Sequence, residues 1–189
     1  QNNIKIAKII KGSDYSLYGV IDTDGNVWTW GSGQSNGSGL VNGYTSGSTS
    51  SPVNVTALTP ALEGVEIVDM AMSNSHSIAL DSEGNVWIGG KGSAITAPGG
   101  ASAYLSKIDS SKFGNAKIKS IAIEEARAVV VDENGKVWAW GYNTALGNGK
   151  TGYTASEPEC ISDDETNPIY GKEMELVAVS GMTVSGSTD

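Results

Sequence analysis

The apolar stretches of this chain are short, are separated by polar runs, and recur to its end. Before one acidic turn stands VEIVDMAMSNSHSIAL, and before another stands AKIKSIAIEEARAVVV. Ile67, Met70, Met72 and Ile78 of the first fall opposite Ile118, Ile121, Ile123 and Val129 of the second. The stretch IAKIIKGSDYSLYGVI near the start has the same layout, slightly longer. Each segment reads as strand, turn, strand, because apolar residues alternate with polar ones over short runs.

The turn that follows is also repeated. DTDGNVWTWG begins at Asp22, DSEGNVWIGG at Asp81 and DENGKVWAWG at Asp132. Asp, Asn or Glu with Gly supplies hairpin chemistry, and Val-Trp opens a third strand. After a long polar loop comes a fourth, edge-like strand: SPVNVTAL from Ser51, AYLSKID from Ala103, and EPECISD from Glu157. Two of these carry a proline near their start, which suits an edge whose N–H is not needed. Units of four antiparallel strands at a period of about 50 residues predict the blades of a β-propeller. The predicted boundaries are residues 4–58, 64–110 and 116–163, with an incomplete fourth unit at 174–189, all in one domain spanning 1–189.

At this point the pattern resembles the RCC1 (regulator of chromosome condensation) repeat family. SNSHSIALDSEGNVW from Ser73 carries the resemblance most fully, and VWAWGYNTALGNGKTGYTASEP from Val137 resembles the family's loop followed by proline. No Trp-Asp dipeptide closes a repeat, so WD40 and kelch propellers fit worse. The copies depart from one another in two places. Gly89 stands where Trp30 and Trp140 stand, and the histidine position is His76 in the second copy, Arg127 in the third and Tyr15 in the first. The resemblance implies an all-β, partial propeller of three blades plus the start of a fourth. RCC1-like propellers usually have seven blades, so three explanations stay open: a piece of a longer protein, pairing with a second copy or with another chain that completes a ring, or an open arc with special caps. Gln1 rather than Met heads the chain, which implies a segment removed upstream.

Composition supports the fold and narrows the function. Hydrophobic residues at 39%, charged residues at 17% and 25 glycines describe a turn-rich chain rather than a helical one. A net charge of −9 argues against nucleic acid as a partner. Cys160 is the single cysteine, so no internal disulfide and no cysteine-based zinc site can form. No apolar run approaches a membrane span. The Ser/Thr/Asn/Gly-rich character points to a secreted or cell-surface protein, with a cytoplasmic setting as the alternative. Asn36 and Asn54 head N-glycosylation sequons.

Candidate chemistry is sparse. His76 has Ser75, Ser77 and Asp81 nearby, but it occupies a recurring repeat position, which favours a structural imidazole over a catalytic one. Asp22, Asp24 and Asn26 alternate like a calcium loop, yet no bidentate glutamate follows. Trp28, Trp30, Trp87, Trp138 and Trp140 are expected to pack between blades. The acidic run EPECISDDETNP from Glu157 reads as a solvated loop, with a basic-partner patch as the alternative. The long loops carry Tyr44, Tyr104 and Tyr153, and loops between matching strands emerge on one face of the disc. These tyrosines are the candidate binding residues for a protein or glycan. The competing reading is that each plugs its own loop onto its blade. No cofactor and no metal are implied. The expected function is non-enzymatic protein interaction or assembly within a larger protein, and the alternative is regulation or inhibition of another enzyme.

Overall fold

The computed structural model describes residues 3–13, 16–32, 38–43, 48–90, 102–142, 146–150 and 154–172. Three four-stranded antiparallel sheets follow one another along the chain. Blade one holds β1 (Ile6–Lys11), β2 (Ser16–Asp22), β3 (Val27–Ser32) and β4 (Ser48–Asn54). Blade two holds β5 (Ile67–Met72), β6 (His76–Asp81), β7 (Val86–Gly90) and β8 (Ser102–Lys107). Blade three holds β9 (Ile118–Glu124), β10 (Arg127–Asp132), β11 (Val137–Gly141) and β12 (Ala155–Cys160). Each sheet keeps sequence order across its width, so every blade is a simple meander. Strands, not helices, build the described fold, and these sheets are consecutive blades of a β-propeller.

The fourth strand of blade one is shorter than its apolar pattern suggests. β4 ends at Asn54, and Val55–Leu58 turn into a single helical turn, α1. Asn54 caps that turn, its side-chain oxygen accepting the Ala57 N–H at 2.9 Å. The sequon asparagine is therefore engaged in a backbone cap.

Alternation decides which neighbour each side chain meets. In blade two, Ile78, Leu80, Val86 and Ile88 point into the core shared with blade three. Their alternating neighbours Ala79 and Trp87 enter the core shared with blade one. A central blade is thus apolar on both faces, which is why β6 and β7 are buried along their whole length.

Backbone hydrogen bonds join the blades. The Ile67 N–H donates to the turn carbonyl of Gly25 at 3.2 Å, and the Ile118 N–H donates to Gly84 at 2.9 Å. Both are the same bond, made by the first residue of one blade to the turn glycine of the blade before it. A second link joins Ser13 N–H to the Met72 carbonyl at 2.9 Å. At the second junction the Ser73 hydroxyl donates to the Glu125 carbonyl at 2.7 Å.

Candidate functional site

The repeated acidic turn is more than hairpin chemistry. Asp22, Asp81 and Asp132 are all buried. Each uses one carboxylate oxygen to accept backbone N–H groups two and four residues on. For Asp81 these are Glu83 at 3.0 Å and Asn85 at 2.8 Å. The other oxygen accepts an indole N–H six residues on: Trp28 at 3.1 Å, Trp87 at 2.9 Å and Trp138 at 3.0 Å. Asn26 and Asn85 add side-chain amide bonds to their aspartates. In blade three Lys136 takes that position and its ammonium reaches Asp163 instead, at 2.7 Å. Burial pushes the Asp22 carboxyl up, but the indole and the local N–H donors outweigh it and hold the group below its ordinary range. The sequence signals for this network, a fixed Asp-to-Trp spacing in three copies, were visible, but the side-chain link itself needs the strand register.

The tryptophans divide by position. Trp87 and Trp140 are buried, whereas Trp28, Trp30 and Trp138 are half-buried. Trp30 stacks on Tyr18 with ring centroids 6.0 Å apart, and Trp138 and Trp140 meet the edge of Phe113 at 5.8 and 5.9 Å. His76 is buried, and its Nδ1 lies 2.8 Å from the Ser75 hydroxyl. Asp81, the third group of the triad considered above, is consumed by the turn and by Trp87.

At the loop end of the blades, residues 38–43 run from blade one onto blade two. The Thr29 hydroxyl donates to the Leu40 carbonyl at 2.7 Å, the Ser77 hydroxyl donates to the Gly39 carbonyl, and the Gly43 N–H donates to Ala103 at 3.0 Å. Leu40 and Val41 are fully buried by this strap. It explains the missing tryptophan of blade two. A Cβ at Gly89 would sit 2.8 Å from Val41 Cγ1 and 2.5 Å from the Tyr104 carbonyl, so the strap fills the space that an indole takes elsewhere.

Tyr104, the one predicted loop tyrosine among the described residues, stands in β8 beside the strap. Its hydroxyl lies 3.2 Å from where a Gly43 Cβ would be, yet the residue is 42% exposed. It both leans on the strap and faces solvent. Tyr44 and Tyr153 lie outside the described residues. Tyr142, which the sequence pattern did not single out, follows Gly141 directly and is 57% exposed at the matching end of blade three. Its N–H is held by the Ala126 carbonyl at 2.8 Å. Beside it Arg127 and Glu125 form an ion pair at 2.9 Å.

The acidic run from Glu157 is largely paired. Glu157 meets Lys112 at 2.7 Å, Glu159 meets Lys150 at 3.2 Å and Asp163 meets Lys136 at 2.7 Å. At the opposite, turn end, grooves of about 610 and 320 Å³ lie along the two blade junctions. The larger is bordered by Asp24, Glu63 and Glu66 over a floor of Leu62 and Val65. Among the described residues no group of His, Cys, Asp and Glu is placed to hold a metal ion, and no helix is long and apolar enough to cross a membrane.

The model of the regulator of chromosome condensation (RCC1) repeat matches residues 24–80, which span the acidic turn of blade one through the second strand of blade two. Over that span the chain carries an RCC1-type repeat. A two-component regulator propeller model matches residues 70–92. An RCC1 domain-containing protein of Dictyostelium discoideum is 32% identical over 79 residues, 41% of this chain and 11% of that protein. The human E3 ubiquitin-protein ligase HERC2 is 29% identical over 140 residues, 72% of this chain and 3% of that protein. Among solved structures, human WBSCR16 has a TM-score of 0.68 at 17% identity, covering 85% of this chain and 40% of that one. Yeast RCC1 (Prp20), solved bound to Kap60, has a TM-score of 0.63 at 22% identity, covering 82% of this chain and 37% of that one. The RCC1-like chain described here therefore spans a small part of its curated relatives and about two fifths of these solved chains.

Proposed function

We propose that this RCC1-like chain is a non-enzymatic protein-interaction module whose contact surface is the loop end of its blades. The observation that carries this reading is the exposure of Tyr104 and Tyr142 at matching ends of adjacent blades. The repeat's buried aspartates, by contrast, are spent on internal hydrogen bonds. Tyrosine gives large contact area with a polar handle and little conformational freedom to lose. The strap of residues 38–43 holds the backbone beside Tyr104, so this side chain is presented from a fixed base. A protein or a glycan is the class of partner. The Ser/Thr/Asn/Gly-rich composition supports a place in a larger secreted or cell-surface protein.

A second reading is regulation of another protein, and it has its own support. A neighbour of the same fold, yeast Prp20p, is described by its binding to Gsp1p and histones, and its TM-score here is 0.63. The experiment that tests the module is affinity capture from the extracellular fraction with the wild-type chain, Tyr104→Ala, Tyr142→Ala and the double variant. The expected result is a captured protein or glycan lost stepwise, with an unchanged melting temperature for Tyr142→Ala. Capture unaffected by the double variant overturns the loop-end assignment.

A further inference from the structure

At the turn end the three blades share one bond, and it sets three residues in the same position. Lys5, Glu66 and Lys117 each offer a carbonyl to the amide after the turn aspartate: Thr23 at 2.9 Å, Ser82 at 2.9 Å and Glu133 at 2.7 Å. Lysine, glutamate and lysine thus fill one structural place. At each junction the side chain leaves along the turn glycine of the blade in front. A Cβ built on Gly25 would lie 2.6 Å from Glu66 Cγ, and one on Gly84 would lie 2.8 Å from Lys117 Cβ. Each of these two residues also lines the groove of its own junction. The smaller groove has Lys117 and Glu83 on its border, so its charges offset one another. The larger has Asp24, Glu63 and Glu66 and is lined by no lysine or arginine. None of these three carboxylates makes an ion pair among the described residues.

A second difference lies in the short helical turns beside the grooves, Pro60–Leu62 and Ser110–Phe113. Asp109 caps the latter, its carboxylate accepting the Ser111 N–H at 2.9 Å. Thr59 heads the former and makes no side-chain cap. It lines the larger groove, is 2% exposed, and its hydroxyl has no hydrogen-bond partner among the described residues. A buried hydroxyl without a partner is costly, so one left unspent at the border of a groove points to a ligand that supplies the partner.

We propose that the larger groove binds an arginine side chain of a basic protein partner. The guanidinium sits among Asp24, Glu63 and Glu66 and donates an N–H to the Thr59 hydroxyl, while its stem lies on Leu62 and Val65. A guanidinium is planar, always charged and carries five N–H donors in a fixed fork, so one group can serve carboxylates and a hydroxyl together. Its methylenes suit an apolar floor, which a bare metal ion would leave uncovered. Among the described residues no group of carboxylates is placed to hold a metal ion. Lysine brings a point charge without the fork and is the weaker occupant. The smaller groove takes no such ligand, because Lys117 stands where Glu66 stands and the Asp109 carboxylate is already engaged. The site lies at the turn end, away from the tyrosines, and stands whether or not they bind a partner.

The test titrates the chain with the blocked tripeptide acetyl-Gly-Arg-Gly-amide and follows backbone amide shifts by NMR. Two control peptides carry citrulline or lysine in place of arginine. The expected result is saturable shifts at Gly25, Thr59 and Glu66 with arginine, weaker ones with lysine, and none with citrulline, which keeps the shape and loses the charge. Gly84 and Lys117, at the smaller groove, are expected to stay unshifted. Glu66→Lys, which gives the larger groove the charge found at the smaller one, is expected to weaken binding by about tenfold. Its melting temperature is expected to be unchanged, because Glu66 is exposed and makes no ion pair. Thr59→Val removes the hydroxyl at nearly constant shape. It is expected to weaken binding by about threefold while leaving the melting temperature unchanged or higher, which a merely structural threonine would not do. An arginine peptide that causes no shift, or binds no better than its citrulline or lysine counterpart, overturns the inference. So do shifts spread over the whole acidic surface, and binding untouched by both variants. Magnesium chloride alone reproducing the shifts at Gly25 and Glu66 assigns the groove to a metal ion and overturns it as well.

Discussion

Asp81 accepts hydrogen bonds from two backbone amides, the Asn85 amide group and the Trp87 indole while almost out of reach of water. A buried carboxylate is tolerable only when its lone pairs are filled. Trp87→Phe is therefore expected to destabilise by roughly 1–3 kcal/mol, since it leaves one oxygen short of a donor without opening a large void. Urea denaturation checks it, and Asp81→Asn combined with Trp87→Phe is expected to cost less than the sum of the two. The same network gives a pH dependence. The folded-state carboxyl of Asp22 sits below its ordinary 3.8, so its contribution is present above that value and is lost as pH falls below it. Acid titration of stability is expected to show a shallower loss in Asp22→Asn over that range. Read from sequence, the aspartate made a turn and the tryptophan packed. The turn and the fixed Asp-to-Trp spacing are legible in the sequence, but the bond between the two side chains is not, because side chains six residues apart meet only once β2 and β3, or β6 and β7, are set in register.

At the scale of elements, two glycines show how a loop and a strand constrain each other. Gly89 cannot carry a side chain because Val41 and the Tyr104 backbone occupy the space. Gly89→Trp, which would restore the repeat pattern on paper, is expected to destabilise by about 1–3 kcal/mol through overpacking and to release the strap. Thermal melts of Gly89→Trp in the wild-type and Val41→Ala backgrounds check this, with a smaller loss expected in the second. Gly141, the last residue of the Trp-Ala-Trp-Gly stretch, has φ 130°, and an added Cβ would collide with the Ala126 carbonyl. Gly141→Ala is expected to lower the melting temperature more than Gly149→Ala, since Gly149 also has positive φ (70°) but open space around it. The strand pattern and the turns could be read from apolar alternation and from Asp-x-x-Gly, because both are local. The strap could not, because Leu40 and Val41 sit in a polar, glycine-rich run and become apolar core only by reaching the next blade.

For the whole molecule, the blade junctions carry the energetics. Apolar side chains from both blades fill each junction, and one exposed ion pair, Lys8 to Asp69, crosses the first. Such a pair contributes little, about 0–1 kcal/mol, so Lys8→Ala is expected to leave the melting temperature almost unchanged, whereas Met70→Ala is expected to cost about 2–4 kcal/mol. Both are read by calorimetry. Of the two exposed tyrosines at the loop end, Tyr104 is picked out by its repeated offset in the sequence, while Tyr142 is not, because the matching positions after Gly31 and Gly90 hold Ser32 and Lys91. The amides of Ile67 and Ile118, each donated across a junction, have a use of their own. Both can be followed by hydrogen–deuterium exchange without any probe being added. If the junctions open separately, these two amides exchange at different rates while the strands around them stay protected. If the blades open as one unit, the two rates coincide with global unfolding. Two backbone protons thus act as independent clocks for how cooperatively the arc holds together.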